Sequence, residues 1–233
     1  MSRAYQTIDF NNVKILGFLG VLSLTLVGLA NAPEARGIVR SVPAAIGLQA
    51  DKIFEGGSNS IVARTVGHAE GTVGADGSKT RAYFGHVDHG NGAWNVGSFS
   101  LQGAGIKSPE QADAYQLTRL KRQAKEIDRL AQAARIELSI EERINGVDLA
   151  NQAPKAALDP GGYVARLKQA RANGLTGSAA VLEARTYSYI NPQTDQWEAP
   201  GLGNREDSVR HDQDRRRAAI ARVLQNSTTG GFR

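Results

Sequence analysis

The sequence predicts a mainly α fold with a small antiparallel β-hairpin or sheet, which is an α+β class. Helix-capping residues precede apolar residues at helical spacing, and the turn dipeptide Asn91-Gly92 separates two extended segments. We expect one helical domain over residues 58–225, with the hairpin at residues 80–102. Residues 33–57 are predicted to be a linker, and residues 226–233 a disordered tail.

The N-terminal segment, residues 1–32, has the pattern of an export signal. Arg3 and Lys14 flank a short polar stretch, residues 15–29 are almost all apolar, and small residues follow at positions 30–32. This pattern predicts cleavage by a signal peptidase. The apolar run approaches membrane-spanning length, so an uncleaved membrane anchor is the alternative. Both forms place the protein outside the cytoplasm, in the periplasm or cell envelope.

The composition limits the possible partners. The chain has no cysteine, so an exported domain must be stabilised by its core and not by disulfides. A net charge of +5 suits an anionic envelope polymer or a membrane surface. Nucleic acid is not expected as a partner of an exported protein. The sequence contains no glycine-rich phosphate loop or dinucleotide fingerprint, so no cofactor is predicted.

The first helix of the predicted domain carries the main candidate catalytic residue, Glu70. Ser58 or Ser60 is predicted to cap this helix and Gly71 to end it. Glu70 shares a helical face with apolar residues such as Val66. Because apolar surroundings disfavour the charged carboxylate, Glu70 is predicted to be a general acid. The alternatives are a solvated carboxylate at a frayed helix end and a metal ligand.

The hairpin is predicted to follow this helix. Residues 80–87 have the pattern of a strand, residues 88–92 that of a tight turn, and residues 93–102 that of a returning strand or extended segment. A helix that carries Glu70, followed by a polar-tipped hairpin, is expected to define a cleft with the carboxylate on one wall and the hairpin on the other.

A long scaffold helix is predicted next, with Ser108 as N-cap, Pro109 at the first position and Gln111 in a capping box. Packing within the domain is favoured over a coiled coil, because its apolar stripe is small and rich in alanine. The stripe comprises Tyr115, Leu117, Leu120, Ala124, Ile127, Ala131 and Ala134. Four shorter helices are expected after it, with start signals at Ser139, Asp159, Ser178 and Asp207.

At Glu70-Gly71-Thr72 the chain resembles the lysozyme-like superfamily of muramidases and lytic transglycosylases, in which a catalytic glutamate ends a helix. The run Gly-Ser-Phe-Ser-Leu-Gln at residues 97–102 is similar to the segment that lines the sugar groove in that group. The resemblance covers about residues 58–102, and beyond them only the helical character is similar. Glu70 and Gly97 lie farther apart than in the compact transglycosylase pattern, which implies an enlarged hairpin.

The resemblance implies a lysozyme-like domain that cleaves the glycan strand of peptidoglycan, with Glu70 protonating the glycosidic oxygen. Aromatic and asparagine residues of the late helices are also expected at the groove. The predicted sugar-binding residues are Thr72, Tyr83, His86, Trp94, Ser98, Gln102, Tyr187, Tyr189 and Asn191. The alternative function is a non-catalytic envelope protein that binds glycan or a partner on the same scaffold.

A second catalytic carboxylate is needed by most glycosidases, and Asp88 is the residue predicted for it, with Asp76 as another candidate. Transglycosylases manage with one carboxylate because a hydroxyl of the sugar itself attacks. The type of reaction and the bond cleaved stay open. His86 and His89 are spaced poorly for a shared metal, so no metal site is predicted.

Two features near the C-terminus have alternative interpretations. The Pro- and Gly-rich segment 191–203 carries Trp197, which either stacks on sugar rings or folds back over the helical core. Residues 215–217 are three arginines on the last helix. They are interpreted as a solvated basic face, with a surface for acidic lipid or polymer as the alternative.

Overall fold

A computed structural model of the protein describes residues 51–88, 92–102 and 105–229. The predicted signal or anchor over residues 1–32 lies outside the described residues, as do residues 33–50 of the predicted linker and residues 89–91 of the predicted turn. Among the helices that are described, none is long and apolar enough to span a bilayer.

The fold is mainly helical with two small antiparallel sheets, which confirms the predicted fold class. The helices are α1 (Ile61–Glu70), α2 (Pro109–Ala134), α3 (Ile140–Gln152), α4 (Pro154–Leu158), α5 (Tyr163–Ala172), α6 (Gly177–Tyr187) and α7 (Glu206–Thr229). The strands are β1 (His86–Val87), β2 (Trp94–Val96), β3 (Leu101–Gln102), β4 (Ile190–Asn191) and β5 (Gln196–Trp197). β1, β2 and β3 form one sheet in that order, and β4 pairs with β5.

Helix starts agree with the capping signals at three serines. Ser60 accepts a hydrogen bond from the backbone N–H of Ala63, and Ser108 accepts one from Gln111. Ser139 and Glu142 form the complete capping box, in which each side chain accepts from the other's backbone N–H. These bonds satisfy backbone donors that have no partner inside the helix, which is why the serines mark the boundaries.

Other boundaries differ from the prediction. α5 begins at Tyr163, because residues 159–162 form a turn, and α6 begins after Thr176 and not at Ser178. The five-residue helix α4 was not predicted. The predicted disordered tail is wrong over residues 226–229, because α7 continues through them.

The core is centred on α3, in which every residue from Glu142 to Ala150 is buried and which contacts α1, α2, α4, α5, α6 and α7. The predicted stripe of α2 is buried from Leu117 to Ala131, whereas Tyr115 is 65% exposed, so the prediction is wrong for that residue. Ile53 and Phe54 belong to the same core cluster. The domain therefore starts before residue 58, and the predicted linker is wrong at these positions.

The hairpin is shorter and more bent than predicted. Residues Arg81–Phe84 form a 3₁₀ turn, so the predicted strand 80–87 is restricted to β1. The returning segment is split into β2 and β3 by a tight turn over residues 97–100. Gly97 at φ 82° allows that turn, and a Cβ there would lie 2.7 Å from the Asp113 carboxylate, so only glycine fits. The result is a small sheet pressed against α2.

Candidate functional site

A cleft of about 570 Å³ lies where the end of α1 meets the hairpin, α3 and α7. We call it the Glu70 cleft. Four of the predicted site residues lie together on its walls: Glu70, His86, Asp88 and Gln102. The other lining residues are Val87, Asn95, Phe99, Ser100, Asn151, Gln152 and Arg216. The predicted juxtaposition of the Glu70 helix and the hairpin across a cleft is therefore present.

The surroundings of Glu70 are polar, so the expected apolar environment is wrong. Its side chain is 17% exposed, and its Oε1 accepts hydrogen bonds from Arg216 Nη2 at 2.7 Å and Asn151 Nδ2 at 3.0 Å. Val66, one turn earlier on the same face, is fully buried. Because Glu70 is the last residue of α1, its carboxylate reaches past this apolar face to side chains of α3 and α7.

Arg216 belongs to a buried charge network formed by Arg185, Asp148, Arg216 and Glu70. The guanidinium of Arg216 donates from Nε and Nη2 to Asp148 at 2.9 and 2.7 Å, and Arg185 Nη2 donates to the same carboxylate at 2.6 Å. Arg185 and Asp148 are fully buried, and Arg216 is 3% exposed. Asp148 thus lies between two buried arginines, and Arg216 connects this pair to Glu70 on the cleft wall.

The charges in this network shift the pKa values of Asp148 and Arg216. Burial by itself raises the pKa of Asp148, but the charges of Arg216 and Arg185 outweigh it and hold that pKa below its ordinary value. Burial likewise lowers the pKa of Arg216, but Asp148 and then Glu70 raise it well above its ordinary value. Both groups are therefore charged at neutral pH.

Three of the predicted sugar-binding residues are buried and lie away from the cleft. Thr72 Oγ1 donates to the backbone oxygens of Ser98 at 2.6 Å and Gly67 at 3.0 Å. Ser98 donates from its backbone N–H and from Oγ to the buried Asp113 carboxylate, at 2.6 and 2.8 Å. Tyr83 is 3% exposed. The expectation that Thr72, Ser98 and Tyr83 contact a glycan is therefore wrong, and their bonds fix the hairpin to the helices.

We call Thr72, Ser98 and Asp113 the hairpin clamp. It joins Thr72, the second residue after α1, to the turn between β2 and β3, and joins that turn to α2. Lys79 Nζ also donates to Ser98 Oγ at 3.2 Å and lies 4.6 Å from the Tyr83 ring. Burial lowers the pKa of Lys79, while Asp113 and Glu110 oppose that shift.

Trp94 lies on β2 beside the cleft and is 58% exposed. It pairs across the sheet with Val87, which lines the cleft. Its indole ring covers Gly85, where a Cβ would come within 2.0 Å of the ring. Phe84 is also exposed at 65%, so this edge of the hairpin offers apolar and aromatic surface next to the polar cleft.

The three late residues predicted at the groove lie elsewhere. Tyr189 and Asn191 line a second cleft of about 640 Å³ between α4 and the β4–β5 hairpin. Tyr187 packs on Trp197 with the ring centroids 5.8 Å apart, and its hydroxyl donates to Glu206 at 2.9 Å. Trp197 itself packs against the core cluster, which confirms the interpretation that it folds back.

The histidines make backbone contacts. His86 Nδ1 lies 3.0 Å from the Ala82 oxygen, and His68 Nδ1 lies 2.9 Å from the Val73 oxygen. Over residues 51–88, 92–102 and 105–229, no group of three or more His, Asp or Glu side chains is placed to hold a metal ion. His89 lies outside the described residues.

The sequence interpretation missed Arg216, because it was read as part of a solvated basic face, which is wrong for this residue. Its helical spacing indicates that Arg216 is buried. Arg216 lies three residues after Gln213 and four residues before Ile220, on one continuous buried stripe of α7. The buried residues of that stripe are Val209, Gln213, Arg216, Ile220 and Val223.

Comparison of the chain with models of protein families, with curated protein sequences and with solved structures finds no match. The polar residues of the Glu70 cleft comprise two carboxylates, one guanidinium, one imidazole, and the amides of Asn95, Gln102, Asn151 and Gln152. Such a set can form hydrogen bonds with many hydroxyl groups and can transfer a proton.

Proposed function

We propose that the protein is exported to the cell envelope and cleaves the glycan strand of peptidoglycan in the Glu70 cleft. The observation that carries the proposal is that Glu70 and Asp88, the two candidate carboxylates, line one cleft of sugar-binding size and polarity. The export signal predicted at residues 1–32 supports the location in the cell envelope. If its apolar run at residues 15–29 is not cleaved, the protein is also attached to the membrane.

The cleft suits a carbohydrate because its walls alternate hydrogen-bonding groups with apolar surface. Sugar hydroxyl and acetamido groups both donate and accept, and an amide side chain can do the same. Four such amides line the cleft, and Phe99 and Val87 lie among them. The exposed face of Trp94 beside the cleft provides an aromatic surface for the apolar side of a sugar ring.

In the proposed reaction Glu70 acts through Oε2. Both hydrogen bonds to the carboxylate go to Oε1, and no described residue bonds to Oε2. The proton passes from Oε2 to the glycosidic oxygen as the bond between that oxygen and the anomeric carbon breaks. Arg216 stabilises the carboxylate that remains. Asp88 stabilises the positive charge on the sugar until water, or a hydroxyl of the same sugar, attacks the anomeric carbon. The Glu70 carboxylate takes the proton that the attacking group releases, which restores the acid.

A specific observation favours a second function, which is glycan binding without cleavage. Glu70 Oε1 already accepts hydrogen bonds from Arg216 at 2.7 Å and from Asn151 at 3.0 Å, an arrangement that orients side chains without transferring a proton. In the second function the Glu70 cleft binds the glycan strand and Glu70 serves to orient Arg216 and Asn151.

Zymography on purified cell wall tests the proposal, with the wild type, Glu70→Gln and the control Glu126→Gln. Glu126 is on the exposed surface of α2, where it pairs with Arg129. We expect clearing by the wild type and the control, and a loss of at least about 100-fold in Glu70→Gln, because general acid catalysis contributes that much. Equal clearing by all three proteins would contradict a catalytic Glu70.

A sedimentation assay with the same cell walls separates the two functions. If the wild type does not clear the wall but sediments with it, cleavage is excluded and glycan binding is supported. If it neither clears nor sediments, both proposals are wrong. Circular dichroism of each variant verifies that Glu70→Gln is folded before its activity is compared.

A further inference from the structure

Gln116 is a buried polar residue that lies behind the cleft wall and does not line the cleft. It is on α2 and is 1% exposed. Its Nε2 donates to Asn151 Oδ1 at 2.6 Å. An asparagine amide has one oxygen that accepts and one nitrogen that donates, so a bond that occupies the oxygen sets the direction of the nitrogen. Gln116 therefore fixes the orientation of the Asn151 amide.

The nitrogen of Asn151 is directed to the candidate catalytic residue. Asn151 Nδ2 donates to Glu70 Oε1 at 3.0 Å and lies 3.4 Å from the Phe99 backbone oxygen. Arg216 donates to the same Oε1 from the opposite helix, α7. Two hydrogen bonds to one oxygen restrain the plane of the carboxylate, and Oε2 accepts no hydrogen bond from a described residue.

We infer that Gln116 is a positioning residue, which acts through Asn151 to set which oxygen of Glu70 faces the Glu70 cleft. Its catalytic consequence depends on the proposed function, whereas the positioning itself is a property of the protein without substrate. Loss of Gln116 allows the Asn151 amide to turn over. Glu70 Oε1 then faces the oxygen of the Asn151 amide, or it receives no hydrogen bond from Asn151 at all.

Stability alone does not explain a glutamine at this position. Gln116 Oε1 is buried and has no hydrogen-bond partner among the described residues. A buried polar atom without a partner costs about 1–3 kcal/mol, and an apolar side chain of similar volume avoids that cost. A purely structural Gln116 would be improved by leucine. A positioning Gln116 would lose its effect on Glu70 in the same variant.

The charges around Glu70 make the effect of Gln116 separable. Arg216 faces Glu70 from α7, Asp148 lies behind Arg216 on α3, and His86 and Asp88 line the cleft from the hairpin. Gln116 is neutral, so Gln116→Leu leaves all of these charges in place. A change in the NMR signal of the Glu70 carboxyl group in that variant is therefore attributed to Asn151.

Gln123 provides a matched control on the same helix. It lies two turns after Gln116, its Oε1 is also buried without a partner, and its Nε2 donates to the backbone oxygen of Ala150 at 3.4 Å. Gln123 thus bonds to α3 next to Asn151, but it does not contact the Asn151 side chain. Gln123→Leu removes the same chemical group without altering the amide that contacts Glu70.

The experiment records the ¹³C signal of the Glu70 carboxyl group by NMR at one pH, in the full chain without ligand. We expect this signal to be displaced from its wild-type position in Gln116→Leu and in Asn151→Ala, because a hydrogen bond to Glu70 Oε1 is lost or misdirected. Gln123→Leu should give the wild-type signal. Urea denaturation should show Gln116→Leu to be at least as stable as the wild type within about 1 kcal/mol.

The inference is overturned if the Glu70 signal of folded Gln116→Leu coincides with that of the wild type, or if the signal of Gln123→Leu is displaced by the same amount. Gln116→Met keeps the test decisive if Gln116→Leu does not fold, because it also removes the amide that donates to Asn151. The measurement needs no substrate, so a failure of the proposed glycan cleavage leaves this result unaffected. In an active enzyme, Gln116→Leu should lower kcat and leave KM unchanged.

Discussion

The helical wall of the Glu70 cleft and its hairpin wall hold their polar groups in different ways. On the helical wall, Glu70, Asn151 and Arg216 bond to one another and to buried partners behind them. On the hairpin wall, His86 is only half-buried on a strand of two residues, and Trp94 stands exposed beside it. The helical wall is therefore constrained by hydrogen bonds among its own side chains. The hairpin wall has an exposed aromatic ring next to it that a ligand can contact.

This difference suggests a division of roles. A buried, bonded group loses little further conformational freedom when a ligand binds, so it can place a reactive atom accurately. An exposed aromatic side chain supplies contact area and costs little stability when it is removed. We therefore expect changes on the helical side to affect stability and geometry, and changes on the hairpin edge to affect binding.

The largest expected effect comes from Asp148→Leu, which removes the anion between two buried arginines. Arg185 and Arg216 would then be buried cations without their shared partner. Breaking a buried ion pair in this way costs about 3–5 kcal/mol, so we expect a loss of that size in the free energy of unfolding. Urea denaturation measures it. The exposed pair Arg205–Asp207 provides the control, since Asp207→Asn should cost less than about 1 kcal/mol.

The pH dependence of the free energy of unfolding is a second measure of how much Asp148 stabilises the helical side of the cleft. The pKa of folded Asp148 lies below its ordinary value of 3.8, so the unfolded chain takes up the proton at higher pH than the folded one. The stabilisation is present above about that ordinary value and is lost as the pH falls through the lower folded value. In Asp148→Asn the free energy of unfolding should therefore fall less steeply as the pH is lowered through this acidic range. An equally steep fall in the variant would mean that Asp148 does not cause the pH dependence of stability.

An intermediate effect is expected for Thr72→Val, which tests the hairpin clamp. Valine has a similar shape but cannot donate to the Ser98 and Gly67 oxygens. Because a buried carbonyl loses its partner, we expect the free energy of unfolding to fall by about 1–3 kcal/mol. Sedimentation with cell walls should stay as in the wild type. If Thr72→Val is as stable as the wild type but no longer sediments with cell walls, Thr72 contacts the glycan after all.

The smallest effect on stability is expected for Trp94→Ala at the hairpin edge. Its side chain is more than half exposed, so the free energy of unfolding should change by less than about 1 kcal/mol. Sedimentation with cell walls should decrease, because an aromatic contact surface is removed. Tyr115→Ala on α2 is the control, since Tyr115 is 65% exposed, compared with 58% for Trp94, and lies on a helix that contributes no residue to the cleft lining. If both variants sediment equally well, Trp94 does not contact the glycan.

The sequence predicted the features of the fold that depend on local chemistry. The capping serines Ser60, Ser108 and Ser139 all mark helix starts, because their bonds involve only the next few residues. The stripe of α2 was predicted over most of its length from helical spacing. Strand lengths were predicted poorly, because Gly85 and Gly97 bend the chain into turns that periodicity does not reveal.

The candidate site was predicted only in part, because its main bonds connect distant segments. Glu70 and Asp88 were identified as residues, and the structure places them at one cleft. The partners of Glu70 lie 81 and 146 residues away along the chain, at Asn151 and Arg216. Arg216 was misread because the run of three arginines was treated as one surface. Helical spacing alone separates the buried arginine from its neighbours.

The hairpin clamp has a consequence for how a ligand enters. Because Thr72, Ser98 and Asp113 tie the 97–100 turn to both α1 and α2, the spacing between the two walls is set in advance of any encounter. If the proposed function is right, a glycan strand meets a cleft whose width is already set, and no slow opening step precedes binding. Stopped-flow association should accordingly be a single exponential whose rate increases linearly with ligand concentration.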